Sequence, residues 1–307
     1  MITVLAGGVG AARFLRGLVE VVDPASITVI GNTADDEEFL GLHVSPDLDT
    51  VVYTLADVVD PEQGWGIAND TYECLAQAER LGAETWFKLG DRDIATHLLR
   101  TRLLRAGRSL SEATAAVAEA YGVRCRLLPM SDDRVRTLVT VDDGEIAFQE
   151  YFVRRRQQDE VRAVRFEGAD AARPAPGVLE AIGEAEAVVI APSNPIVSIG
   201  PVLATPGVYE ALRETGAPVV AVSPIVGGRA LKGPADRMLT SLGHDASAAG
   251  VARLYADVID TLVIDREDEA LAGAVEACDV RPYVTDTVMR DAASRRALAA
   301  ATLEAVR

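Results

Sequence analysis

Asp35-Asp36, Ser45-Pro46-Asp47-Leu48-Asp49-Thr50 and Gly90-Asp91-Arg92-Asp93 place three acidic clusters in one half of the chain, each beside an expected strand end or loop. Carboxylates so placed suit a hard cation and a phosphorylated substrate, because a divalent cation of this kind takes oxygen ligands and shares them with phosphate. The plainer reading is that aspartates in so acidic a chain cap helices or meet solvent. Pro46 presets the start of a helix over Val51, Val52, Leu55, Val58 and Val59, so one of Asp47 and Asp49 is expected to cap it. The other is then free to face a cation.

A second set of residues suits an anion. The apolar run Ile2–Ala6 ends in Gly7-Gly8-Val9-Gly10, and Phe14, Leu15, Leu18, Val19 and Val22 then recur at helical spacing. Strand, glycine turn and helix let backbone approach a ligand and offer phosphate unpaired N–H groups at a helix start. The dinucleotide fingerprint is incomplete, since Arg13 stands where a third small residue belongs. Arg13 can reach an anionic ligand or lie on the surface. In Thr85–Asp93, Lys88 and Arg92 can face a phosphate or phenolate while Asp91 faces a metal or hydroxyl; the plainer reading is an ion-paired helix start.

The elements that must position these residues follow a βα rhythm. The strand Ile27–Ile30 empties into Gly31-Asn32-Thr33-Ala34-Asp35-Asp36, which places Asn32, Asp35 and Asp36 near the glycine loop, where open α/β sheets bind ligands. Helices are expected over Asp70–Arg80, Ile94–Arg105 and Leu110–Tyr121, the last with a capping box of Ser109 and Glu112. Arg134–Val141 and Glu145–Val153, joined by Asp142-Asp143-Gly144, give the clearest hairpin, with Val161–Phe166 as a third antiparallel strand. The βα rhythm resumes with strands Ala187–Ala191 and Pro218–Ser223, which end in Pro192–Pro201 and Pro224–Arg229. Helices near Asp236–Leu242, Ser247–Ile259, Glu267–Cys278 and Arg295–Val306 and strands Thr261–Asp265 and Arg281–Thr285 complete the chain. The expected fold is α/β, a Rossmann-like, mostly parallel sheet with helices on both faces. It is a single domain over 1–307 in which 131–168 is a hairpin insertion or lid.

Composition narrows the function classes. A formal charge of −17 opposes a polyanion-binding surface, which needs clustered Lys and Arg, so nucleic acid is excluded as a partner. Only Lys88 and Lys232 are lysines among thirty basic residues, which leaves twenty-eight arginines. No apolar run approaches the roughly 20 residues that span a bilayer. The start runs from a buried-strand pattern directly into glycines, unlike a signal peptide, and a cytoplasmic location is expected. Cys74, Cys125 and Cys278 are odd in number and far apart, which fits neither a disulfide framework nor a metal site.

Taken in order, Gly7–Gly10, Asn32–Asp36, Ser45–Thr50, Gly64-Trp65-Gly66, Leu89–Asp93 with Ala95-Thr96-His97, Leu128–Asp133, Pro192–Pro201 and Ser223-Pro224-Ile225 resemble the 2-phospho-L-lactate transferases, the CofD or FbiA family, over nearly the whole chain. The resemblance implies a homodimeric, Rossmann-like enzyme of coenzyme F420 biosynthesis. Such an enzyme moves a 2-phospholactyl, enolpyruvyl or related group from a guanosine diphosphate-linked donor to the ribityl hydroxyl of the deazaflavin Fo. GMP leaves, with help from Mg²⁺. The small-molecule partners are then Fo and lactyl- or enolpyruvyl-diphosphoguanosine.

That chemistry needs an in-line hydroxyl and a cation across the diphosphate. Asp35 and Asp49 are the expected Mg²⁺ ligands, with Asp36 and Asp47 as neighbours. Asp49, Asp91 and Arg92 form the expected catalytic set, Asp49 also orienting or deprotonating the hydroxyl. By resemblance Asp49, Lys88 and Arg92 contact Fo, and Gly7, Gly8, Gly10, Asn32, Ser193, Asn194 and Gly228 hold the nucleotide. Glu37-Glu38 departs from relatives that carry a bulky aromatic there. His97, a lone histidine, reads as structural. Two other classes compete. A regulatory nucleotide-sugar-binding protein of the gluconeogenesis-factor type has no use for the Asp47-Leu48-Asp49 and Gly90–Asp93 pair. A nicotinamide dehydrogenase lacks its third fingerprint glycine and needs only one acidic residue for ribose.

Overall fold

A computed structural model describes residues 1–306 and gives an α/β fold around a seven-stranded parallel sheet. The order across the sheet is Arg281–Thr285, Thr261–Asp265, Val219–Val222, Ala187–Ile190, Ile2–Ala6, Ile27–Gly31 and Arg126–Pro129. The chain builds one half outward from Ile2–Ala6, then returns to the other side of that strand and builds the second half. The direction of winding therefore reverses between Ile2–Ala6 and Ala187–Ile190, which pair in register with Leu5 opposite Ile190. A reversal of this kind opens a crevice at the carboxyl ends of the two strands. Gly7–Gly10 and Pro192–Ser198 stand at its lips.

Alternation along Ile2–Ala6 divides the core. Val4 and Ala6 pack with Phe14, Leu15, Leu18, Val51 and Leu298 on one face, while Leu5 packs with Ile190, Ile199, Val202 and Val251 on the other. Strands buried on both faces read as continuous apolar runs, as Val219–Val222 and Ala187–Ile190 do. Among the described residues no helix is long and apolar enough to cross a membrane.

The expected hairpin is present as Arg136–Val141 and Gly144–Ala147, with Ala163–Glu167 antiparallel on the other side of Arg136–Val141. Its second arm is shorter than expected. Phe148, Tyr151 and Phe152 fall at i, i+3 and i+4, a helical spacing, and Glu150–Arg154 forms a π-helical turn that buries Tyr151. This small sheet has its own core of Val139, Val141, Phe148, Tyr151 and Val161, seated on Val197 and Met238.

Two further local expectations change. The helix expected from Asp70 begins at Glu73, because Asp70 accepts from the N–H groups of Arg92 and Asp93 at the start of helix Asp91–Arg105. Asp91 reciprocates by accepting from the N–H groups of Glu73 and Cys74. Each helix is thus capped by an acid from the segment leading into the other. The segment expected as Glu267–Cys278 divides into a 3₁₀ stretch, Arg266–Leu271, and a short helix, Ala272–Glu276.

Candidate active site

A cleft of about 1030 Å³ lies over the winding reversal and collects residues from the glycine loop and from each of the three acidic clusters. One wall is the glycine loop. Gly8 adopts φ +72, and helix Gly8–Leu18 starts there. Gly7 N–H donates to Ser193 Oγ at 3.3 Å. A side chain at Gly7 would meet Ser198 Cβ at 2.6 Å and Asp47 Oδ2 at 3.0 Å, and one at Gly10 would collide with the Pro192 carbonyl oxygen. These glycines permit close approach of two loops as well as of a ligand. Arg13 and Lys232 face the cleft from this side, the Lys232 amine lowered by burial and by Arg13.

Beside the loop lie Asp35 and Asp47. Asn32 donates its amide hydrogens to both, at 3.1 Å and 3.0 Å. Among the described residues neither aspartate has a cationic partner, and Asp35 Oδ1 is buried with no hydrogen-bond partner. Burial first, then the Asp47 charge, raises the Asp35 carboxyl well above its ordinary range; burial lifts Asp47 to about 6. Two desolvated carboxylates sharing one neutral donor, one of them with an unpartnered buried oxygen, fit a divalent cation that keeps most of its waters. Among the described residues no group of three or more His, Cys, Asp or Glu side chains forms a metal cage. A cation here would therefore rest on this pair and on substrate oxygens.

Asp49 is differently placed. Both its oxygens are taken by the Arg100 guanidinium, NH1 reaching Oδ2 at 3.1 Å. Arg100 is 1% exposed, and Asp49 lies at the cleft floor with Tyr53, Asp93 and His97. His97 Nδ1 stands 3.6 Å from Asp49 and its Nε2 3.1 Å from Asp93, whose Oδ1 accepts from Tyr53 OH at 2.6 Å. Burial, then the charges of Asp49 and Asp93, pushes the Tyr53 hydroxyl far upward, so it is a hydrogen-bond donor and not a base. Neither Asp47 nor Asp49 caps its helix; Ser45 occupies that position without a side-chain bond.

The remaining expected residues separate. Lys88 lines the cleft with Trp86 and Phe87, and Ser193 and Asn194 line it as well. Asn194 also caps its own turn, accepting from Ile196 N–H at 2.9 Å. Asp36 lies outside the lining, bound by His43 and Ser45 at 3.0 Å and 2.6 Å. Asp91 is engaged as a cap, and Arg92 donates to the Ala68 carbonyl at 3.3 Å, so the third acidic cluster reaches the cleft through Asp93. Gly228 borders a separate groove beside Asp236 and Arg237. Glu37 pairs with Arg134 and Arg136.

Sequence reasoning passed over Arg100, Tyr53 and the aromatic wall. Phe39 stacks on Phe87 at 4.0 Å, Trp86 meets Phe39 edge-on, and Phe148 stacks on Phe152 at 5.3 Å. Trp86, Phe87, Phe148 and Phe152 give the cleft flat apolar faces. A signal for the floor exists in the sequence: Asp93, His97 and Arg100 fall four and three residues apart, one face of a helix.

The sequence profile described as 2-phospho-L-lactate transferase CofD matches residues 2–303. The chain is 48% identical to a phosphoenolpyruvate transferase of Streptomyces griseus, over 99% of this chain and 97% of that one. It is 39% identical to a 2-phospho-L-lactate transferase of Methanosarcina mazei, over 98% and 99%. In fold it is similar to the crystal structure of a UPF0052 family protein from Bacillus halodurans, with a TM-score of 0.69, 19% identity and 98% of each chain covered. A profile that spans the chain and relatives this similar over their full length leave one assignment: the protein is an enzyme of the CofD family of 2-phospho-L-lactate transferases.

Proposed function

We propose that the protein transfers a three-carbon phosphoacid from a guanosine diphosphate-linked donor to the ribityl hydroxyl of Fo, in the cytoplasm and as a homodimer, for coenzyme F420 biosynthesis. The hydroxyl oxygen bonds to the phosphorus that carries the three-carbon acid, the bond from that phosphorus to GMP breaks, and the hydroxyl proton leaves to a base or water. The observation that carries this reading is that one cleft gathers an anion-receiving glycine loop, the Asp35 and Asp47 pair joined through Asn32, a set of aromatic side chains and the fixed carboxylate of Asp49.

Each part has a physical task. Backbone N–H groups of the glycine loop, with Arg13 and Lys232, receive the diphosphate. Asp35 and Asp47 would hold Mg²⁺, which when bound offsets phosphate charge. Asp49, its plane set by Arg100, accepts a hydrogen bond from the incoming hydroxyl and orients it. Trp86, Phe87, Phe148 and Phe152 offer faces to the deazaflavin ring.

Relatives named phosphoenolpyruvate transferase reach 46–49% identity, while those named 2-phospho-L-lactate transferase reach 39–42%. That difference favours the enolpyruvyl donor. Purified protein incubated with Fo, Mg²⁺ and either donor tests the reading. Expected are GMP, a more acidic fluorescent product, and a higher kcat/KM with the enolpyruvyl compound. Binding of a UDP-sugar with no affinity for Fo, and no GMP from either donor, would overturn it in favour of a regulatory nucleotide-sugar-binding protein. Light scattering of the same sample tests the homodimer.

A further inference from the structure

Three consecutive arginines meet three different fates. Arg154 lays its guanidinium 5.9 Å from the Trp86 ring centroid and 3.8 Å from Glu84. Arg155 pairs with Asp143 at 2.9 Å, Glu150 at 3.5 Å and Asp159 at 3.7 Å. Arg156 has no hydrogen-bond or ion-pair partner among the described residues, and it alone of the three lines the cleft.

The backbone at this point is strained. Arg156 sits at φ +53 and Gln157 at φ +57, two successive residues with side chains in the left-handed region. L-residues adopt that region at a cost, and it persists where surrounding structure imposes it, often at ligand sites. Gln157 is held by internal bonds, its N–H to the Tyr151 carbonyl at 2.9 Å and its side-chain oxygen to Arg237 at 3.1 Å. Nothing internal rewards an arginine at 156. An unpaired guanidinium facing a cleft, in a chain of net charge −17, is an anion receptor. Its planar fork matches a carboxylate.

Location selects among the anions. The diphosphate has the glycine loop, Arg13 and Lys232. Arg156 belongs to a different segment, the one whose Gln149 donates to the Asp35 carbonyl at 3.2 Å and whose Phe148 and Phe152 line the cleft with it. The part of a donor that passes beyond its second phosphate toward that segment is the three-carbon acid. We infer that Arg156 binds the carboxylate of the transferred three-carbon acid, an assignment that rests on the donor class proposed above.

The test uses full-length Arg156→Gly, Arg156→Lys and, as a backbone control, Gln157→Gly. Glycine relieves the left-handed strain, so Arg156→Gly should keep or raise Tm. Loss of a charge-assisted contact should raise the donor KM about 10- to 100-fold, with GDP affinity and Fo KM within about twofold of wild type. Arg156→Lys should recover part of the loss, and Gln157→Gly should leave the donor KM unchanged. An equal loss of GDP affinity would overturn the assignment in favour of the diphosphate, and a rise in Fo KM alone in favour of the acceptor. A fall in Tm with no selective KM change would make Arg156 a scaffold residue. Wild-type protein that binds no GDP and turns over neither donor would instead defeat the donor reading itself.

Discussion

Arg100 engages both carboxylate oxygens of Asp49 from 51 residues away, and both side chains are buried. The pair fixes the plane of a carboxylate that opens onto the cleft, while Arg100 itself lies behind the surface. A buried ion pair is costly to break because one charge is left without a partner, typically by about 3–5 kcal/mol. Arg100→Met should therefore destabilise the protein by about that amount in urea denaturation. Adding Asp49→Asn should return part of the stability and none of the turnover. If the double variant is as unstable as the sum of the single ones, the two residues are not energetically coupled and the pair does not set the geometry of Asp49.

Asp35 and Asp47 make a different forecast. They are like charges in a desolvated place, joined only through Asn32. Removing one charge relieves repulsion, so Asp47→Asn should unfold at the same temperature as wild type or higher when no divalent cation is present. Mg²⁺ with GDP should raise the wild-type Tm, a ligand at about 100 times its Kd contributing about 2.7 kcal/mol. The variant should lose most of that shift in a thermal melt. A full Mg²⁺-dependent shift in the variant would move the cation elsewhere.

Gly7 and Gly8 separate crowding from backbone cost. Gly7 has φ −154, open to any residue, but an added Cβ would press on Ser198 and on Asp47 Oδ2. Gly7→Ala should cost about 1–3 kcal/mol through overpacking and should raise the donor KM by displacing Asp47. Gly8 has φ +72 and only Asp47 Oδ1, at 3.8 Å, near its Cβ position. Gly8→Ala should cost about 1–2 kcal/mol through its backbone alone. Denaturation and donor kinetics on both variants check the contrast; equal kinetic effects would show that crowding against Asp47 has no part in it.

Legibility in the sequence followed locality. Thr261–Asp265 and Arg281–Thr285 stand where the apolar runs place them, and the Ser109–Glu112 capping box forms, because each depends on neighbours within a few residues. The glycine loop and the two strand ends after Ile27–Gly31 and Ala187–Ile190 converge because parallel winding leaves one place for them. Asp70 and Asp91 were not legible as exchanged caps, since either could cap its own helix and only the fold of two helices onto each other decides. Arg100 was hidden for another reason. Helix Asp91–Arg105 buries its polar face, with Asp93, Thr96, His97, Arg100 and Thr101 inside and Leu98 54% exposed, which inverts the rule that reads apolar positions as the inner ones.

Asp265 links acid stability to one segment of the cleft lining. It closes strand Thr261–Asp265 and accepts from Thr287 N–H at 2.7 Å, Thr287 Oγ1 at 2.9 Å and Glu267 N–H at 3.0 Å. Burial opposes its charge, but these donors outweigh burial and hold its carboxyl below the ordinary range. A carboxylate whose pKa is lower folded than unfolded binds fewer protons in the native state, so its stabilisation is complete above the unfolded value of about 3.9 and is lost as pH falls through the folded value. Thr287 begins the cleft-lining segment that continues through Val288, Met289 and Arg290. Asp265→Asn should therefore lower stability at pH 7, and the difference from wild type should shrink as pH falls below about 4. At pH 7 the variant should also bind GDP more weakly while its affinity for Fo holds. A stability difference that stays constant from pH 7 to pH 3 would mean that the charge of Asp265 has no part in anchoring that segment.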